Sequence, residues 1–135
     1  VQEYNSELAL GGYGIDTSGI HCWGKNDESN HRNFCHLVNK LSFNASPFRT
    51  ITFRASEDVY IGSDGLDLFC DVQFINTNKK KLKTIRRLHI DFLTPSDLVC
   101  DISDINEQCF FVIYAYTERR TTGGTFTIEK ITFAT

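Results

Sequence analysis

The chain has no methionine, only two prolines and a single tryptophan, Trp23, in 135 residues. Without methionine, Val1 is not expected to be where translation began. The expectation is a terminus made by processing, of which signal-peptide removal is the common form. The two prolines, Pro47 and Pro95, both fall at breaks between apolar runs. The longest apolar run, Cys109 to Tyr116, is too short to cross a bilayer as a helix. There is no Gly-x-Ser-x-Gly, no phosphate loop and no His-Glu-x-x-His, so neither an enzyme nor a cofactor is expected. A net charge of −3 argues against a surface built to bind nucleic acid.

What is present is β-structure. At 135 residues the chain is one domain, 1–135, long enough to bury roughly two-thirds of the surface it would expose unfolded. Cys109 to Tyr116 is dense in β-branched and aromatic residues and apolar on both alternating faces, which predicts a central strand covered on both sides. Leu66, Leu68, Cys70, Val72 and Phe74 alternate with Asp67, Asp71 and Gln73, a strand with one wet face. Asn76 to Lys80 reads as a hairpin turn, returning through Ile85 to Leu93 with Leu88, Ile90 and Phe92 inward. Ile51, Phe53 and Ala55 alternate with Thr50, Thr52 and Arg54, and Leu98, Cys100 and Ile102 make a further strand. Phe126 and Ile128 are out of phase with Ile131 and Phe133, which a β-bulge near Glu129-Lys130 would reconcile.

The early part of the chain reads differently. Ser6 to Leu10 is a candidate strand, ended by a turn at Gly11-Gly12-Tyr13-Gly14. Phe34, Leu37, Val38 and Leu41 recur at helical spacing, predicting one short helix near residues 31–42. The rival strand reading puts Asn39 on its apolar side. The sum is an all-β fold, an antiparallel sandwich or jelly roll of about eight strands with that one helix.

Five cysteines suit an oxidising compartment and a secreted, extracellular protein. The candidate bridges are Cys22 with Cys35 and Cys100 with Cys109, leaving Cys70 as a buried thiol or a link to a second copy. His21, Cys22, His31, Cys35 and His36 are the metal alternative, a zinc site and with it a zinc-dependent enzyme built on the His21–His36 cluster, although no Cys-x-x-Cys accompanies them. Lys79, Lys80, Lys81, Lys83, Arg86 and Arg87 crowd the hairpin. They form either a patch for a protein, an anionic glycan or an anionic lipid surface, or an edge strand guarded by charge. Aromatics for base stacking are missing from that run. Glu57, Asp58, Asp64 and Asp67, and then Asp97, Asp101, Asp104 and Glu107, gather in loops without matching a calcium loop. Tyr13, Trp23 and Tyr60 lie near glycines and loops, where a ring can stack on a sugar. Asn44-Ala45-Ser46 is a glycosylation sequon followed by Pro47.

The outline is compatible with C2 domains and with CUB modules. The run expected after a C2 domain's first acidic loop and the regular cysteine spacing of CUB modules are both missing, so no residue is carried over from either. The expected function is a secreted, effector- or toxin-like binding protein. A lectin-like carbohydrate binder is the alternative.

Overall fold

The computed structural model describes residues 4–6, 11–25, 35–39, 41–58, 68–117 and 123–135. Among the described residues there are eleven strands: β1 Tyr4–Ser6, β2 Gly11–Asp16, β3 Gly19–Lys25, β4 Cys35–Asn39, β5 Phe43–Asn44 and β6 Thr50–Glu57, then β7 Leu68–Asn76, β8 Lys81–Ile90, β9 Ser96–Asp101, β10 Gln108–Thr117 and β11 Gly123–Ala134. They pair antiparallel in two sheets. The first runs β1-β4-β10-β7-β8 with β5 also on β10, and the second runs β2-β3-β11-β6-β9. The chain crosses repeatedly from one sheet to the other, which makes the domain an antiparallel sandwich.

The core is the layer between the sheets, filled by the inward phase of each strand. Leu68, Cys70, Val72 and Phe74 of β7 face Ile51, Phe53 and Ala55 of β6, all but excluded from solvent. Phe53 and Phe111 meet edge-on across the layer, ring centroids 5.0 Å apart. Such a contact contributes about 0.5–1.5 kcal/mol beyond its buried area. The run Cys109 to Tyr116 is indeed central, with β4 and β7 as its neighbours. In β11 the register shifts between Ile128 and Lys130, at the bulge the change of phase requires. Gly19 has φ 135° and sits against that bulge. A Cβ there would collide with the carbonyl oxygen of Ile128 and lie 2.9 Å from the Cα of Glu129, so only glycine fits.

Three expectations are corrected. Cys35–Asn39 is a strand rather than part of a helix over 31–42; residues 31–34 and 40 lie outside the described ones. Asn39 argued against a strand because it fell on the apolar side, and it is fully buried there. Its amide is satisfied by backbone: Oδ1 accepts the Phe111 N–H at 2.7 Å and Nδ2 donates to the Leu41 carbonyl at 2.6 Å. Between Val112↔Val38 and Cys109↔Phe43 the partner chain carries extra residues, and the Asn39 side chain supplies the hydrogen bond that the ladder lacks there. Gly11–Gly14 belongs to the edge strand β2 rather than to a turn, paired along Gly24, Trp23, Cys22 and His21. Phe92 is 59% exposed rather than inward, because β8 ends at Ile90 and the chain then turns through Leu93 at φ 59° toward the other sheet.

Candidate functional site

The outer face of the first sheet gathers polar and aromatic side chains from β7, β8 and β10. Strand alternation places Phe69, Asp71 and Gln73 of β7 opposite in phase to the core residues Leu68, Cys70 and Val72. Tyr114 and Tyr116 of β10, half-buried, are registered with Asp71 and Phe69. From β8, Thr84 and His89 are registered with Gln73 and Phe69. Alternate residues of one strand stand about 7 Å apart, so Tyr114 and Tyr116 make a short row of rings.

Asp71 is the hub of this face. Cys70 pairs with Leu88 and Val72 with Ile85, so Asp71 alone faces both Arg86 and Arg87 across a bulge. Its Oδ1 accepts the Arg87 backbone N–H at 2.8 Å and the Tyr116 hydroxyl at 3.0 Å, and its Oδ2 lies 3.7 Å from the Arg86 guanidinium. Burial, first, and the bond to Asp71 push the Tyr116 phenol up to about 12, so it stays a donor. Beside it, the Tyr114 hydroxyl donates to Gln73 Oε1 at 3.2 Å, and Gln73 Nε2 donates to Thr84 at 3.3 Å. Phe69 stacks on Tyr116 with centroids 6.0 Å apart, meets the His89 ring at 5.3 Å, and carries the Arg87 guanidinium 4.4 Å over its centre. The result is a sheet face of flat rings with fixed donors and acceptors between them.

The outer face of the second sheet holds a different cluster. His21 Nε2 lies 2.9 Å from Asp16 Oδ1, and its Nδ1 lies 2.9 Å from Thr127 Oγ1, which donates to Asp58 at 2.7 Å. Hydrogen bonds from Ser18, first, and from His21 hold the Asp16 carboxyl far below the usual carboxylate range. Arg54 sits between Asp97 and Glu129, at 3.2 and 2.9 Å.

The residues singled out from sequence are scattered over this frame. Lys79, Lys80 and Lys81 are exposed at the β7–β8 turn, Lys83 pairs with Asp104 at 3.1 Å, and Arg86 and Arg87 belong to the Asp71 cluster. β8 is an edge strand, so the cations also line the sheet's open edge. Tyr13 is registered with Cys22, and Trp23 with Gly12 and Thr125; their side chains, and Tyr60 altogether, lie outside the described residues. His21 and Cys22, being adjacent in β3, take opposite faces of the strand: Cys22 is in the core and His21 is on the outer cluster. Cys35 and His36 are in the other sheet, and His31 lies outside the described residues. Among the described residues no group of three His, Cys, Asp or Glu side chains is arranged to hold a metal. The described loop carboxylates have protein partners instead, such as Ser103 on Asp101, Lys83 on Asp104 and Asn76 on Glu107. Asn44 is exposed, with both the N–H and the hydroxyl of Ser46 on its Oδ1.

The disulfide expectation is corrected. Cys22, Cys70, Cys100 and Cys109 are buried thiols. Cys100 and Cys109 are free thiols on strands of different sheets; Cys22 and Cys35 are likewise on different sheets, and the Cys35 side chain lies outside the described residues. Burial pushes the Cys100 thiol up to about 12 and the Cys109 thiol to about 11, so both stay protonated and inert. None of these four sulfurs is placed to link a second copy. Four buried thiols carry no sign of an oxidising compartment.

The chain is similar in fold to β-sandwich carbohydrate-binding modules. A carbohydrate-binding module described as specific for non-crystalline cellulose, CBM28, aligns over 97% of this chain and 87% of its own, with TM-score 0.66 and 12% identity. The xylan-binding module CBM15 aligns over 97% and 92%, with TM-score 0.61 and 9% identity. Xylanase10C (mutant E385A) from Cellvibrio japonicus, in complex with xylopentaose, aligns with TM-score 0.61 and 11% identity, and this chain spans 28% of its length. At such identities the likeness is one of fold. No protein-family model and no curated protein matches the sequence. These neighbours are described as carbohydrate-binding modules or as a xylanase, and none as an effector or toxin.

The Tyr114–Tyr116–Asp71–Gln73 face was missed from sequence because both phases of Cys109 to Tyr116 look apolar. A signal did exist: Asp71 and Gln73 mark the wet face of the neighbouring strand, and tyrosine carries a polar tip that suits a half-exposed position.

Proposed function

We propose that this chain is a non-catalytic carbohydrate-binding module of a secreted protein, which lays a glycan across the outer face of the first sheet. The observation that carries the reading is the Tyr114–Tyr116 row with Asp71 and Gln73 set between β7 and β10. A pyranose has an apolar C–H face and a polar rim. Flat rings take the first, and a carboxylate or amide fixed beside them takes the second. The fold likeness to carbohydrate-binding modules supports the reading, and the extracellular setting of a polysaccharide ligand supports secretion. The arrangement holds and orients; it brings no nucleophile and base together on this face.

Affinity electrophoresis through gels containing xylan, non-crystalline cellulose, galactan or pectin tests it. At least one polysaccharide should retard the protein. Tyr114→Ala and Tyr116→Ala should each weaken that retardation by about two- to twelvefold, with circular dichroism unchanged, since a ring contact is worth about 0.5–1.5 kcal/mol. Unchanged retardation in both variants, or none in any gel, would contradict the proposal.

A further inference from the structure

We infer that the glycan lies lengthwise along β10, and that Phe110 with Gln108 forms a distal sugar subsite at the other end of the row from Tyr116. The inference rests on the carbohydrate reading above and adds to it the direction and the length of the chain that this face takes.

Two directions lead away from Tyr116. The crosswise one passes over Phe69 and His89 toward the edge strand β8. It is closed, because the Phe69 ring is only 9% exposed and the Arg87 guanidinium stands 4.4 Å over its centre. A ring covered in this way offers a sugar no face to rest on. The lengthwise direction follows the outward phase of β10. Cys109, Phe111, Ile113 and Ala115 belong to the core, so Gln108, Phe110, Val112, Tyr114 and Tyr116 share the outer face. Tyr116 and Phe110 lie six positions apart in β10. At roughly 3.4 Å per residue the row is about 20 Å long.

The far end of this row repeats the composition of the near one. Phe110 is half-buried on the outer face, whereas Phe43, Phe53 and Phe111 take ring partners between the sheets. Gln108 is exposed and next in the same phase, bringing an amide to the side of Phe110 as Gln73 does to Tyr114. Ile75 is registered with Phe110, and the exposed Lys81 with Ile75. Between the two ends lies Val112, 3% exposed and registered with Gln73, so no charged group of β10 interrupts the path. At both ends a ring is set to take a sugar's C–H face and an amide to take its polar rim. A disaccharide reaches one end of such a row; a linear chain of several sugars reaches both. The ligand is therefore a stretch of linear polysaccharide rather than a single terminal sugar.

The test is calorimetric titration with cello-, xylo-, β-1,4-galacto- and galacturono-oligosaccharides, each from disaccharide to hexasaccharide. Affinity for at least one series should climb with length up to the longer members. Phe110→Ala should weaken the hexasaccharide by about two- to twelvefold and leave the disaccharide unchanged. Gln108→Ala, at an exposed position that burdens folding least, should do the same through one lost hydrogen bond. Phe110→Tyr should retain the native dependence on length. Affinity already complete at the disaccharide, no binding of any hexasaccharide by a protein that a polysaccharide retards, or losses in Phe110→Ala and Gln108→Ala that are absent or equal at every length, overturns the lengthwise inference and leaves the carbohydrate reading standing. Failure to bind any of these oligosaccharides or any polysaccharide of the gel panel overturns both.

Discussion

Single side chains set the limits of this domain's stability in pH. Asp16 and Asp101 each accept both the N–H and the hydroxyl of a serine two residues on, and Asn44 makes the same small turn with Ser46. These bonds hold both carboxyls below their ordinary value of 3.8. Their folded pKa is depressed, so their contribution is present above about pH 4 and lost as pH falls through that range. The thiols act at the other end. Cys100 and Cys109 are raised by burial from 9.0 to about 12 and about 11, so their contribution is complete below pH 9 and lost as pH rises toward those values. Melting temperature should therefore be level from about pH 5 to pH 8 and fall on both sides. Cys100→Val should flatten part of the alkaline fall, which scanning calorimetry across the pH series would record. An alkaline limb identical in Cys100→Val and native protein would contradict this reading of the thiol.

At the scale of the element, β4 and the chain that follows it depend on one buried amide. Asn39 replaces a missing rung of the ladder between β4 and β10, and both its hydrogen bonds go to main-chain groups. Asn39→Leu keeps the branched shape of the side chain and strands the Phe111 N–H and the Leu41 carbonyl, a loss of about 2–4 kcal/mol. Urea denaturation should show it as a lowered midpoint with an unchanged slope. A midpoint within error of the native one would mean that water or a shifted backbone satisfies those groups.

The same element shows which parts of the fold can be read from sequence. β6 and β7 were legible because their two faces differ sharply, Ile51-Phe53-Ala55 and Leu68-Cys70-Val72-Phe74 against polar neighbours. The β11 bulge was legible because Ile128 and Ile131 are out of phase. β4 was not, since a buried asparagine looks like an error in a strand until its backbone partners are known. β2 was not, since glycines signal turns and an edge strand tolerates them. The candidate site was half legible: Asp71 and Gln73 were on a wet face, but Tyr114 and Tyr116 passed for core. Arg86 and Arg87 were found as charge, whereas the bulge that aims Arg87 is a matter of register between strands distant from any local pattern.

For the whole molecule, the two sheets differ in what they offer outward. The second sheet's cluster of Asp16, His21, Thr127 and Asp58 is closed upon itself by hydrogen bonds. The first sheet's face is built of rings with polar groups held between them, on the strands at its centre and one edge. The measurement that separates the two most directly is a proton–nitrogen correlation spectrum titrated with the polysaccharide fragment that retards the protein most. Glycan binding on the first sheet predicts shifts at the amides of Phe69 to Gln73, Thr84 to His89 and Tyr114 to Tyr116, with the second sheet unmoved. Shifts confined to β2 and β3 around Tyr13 and Trp23, or a spectrum unchanged by saturating sugar, would contradict the account.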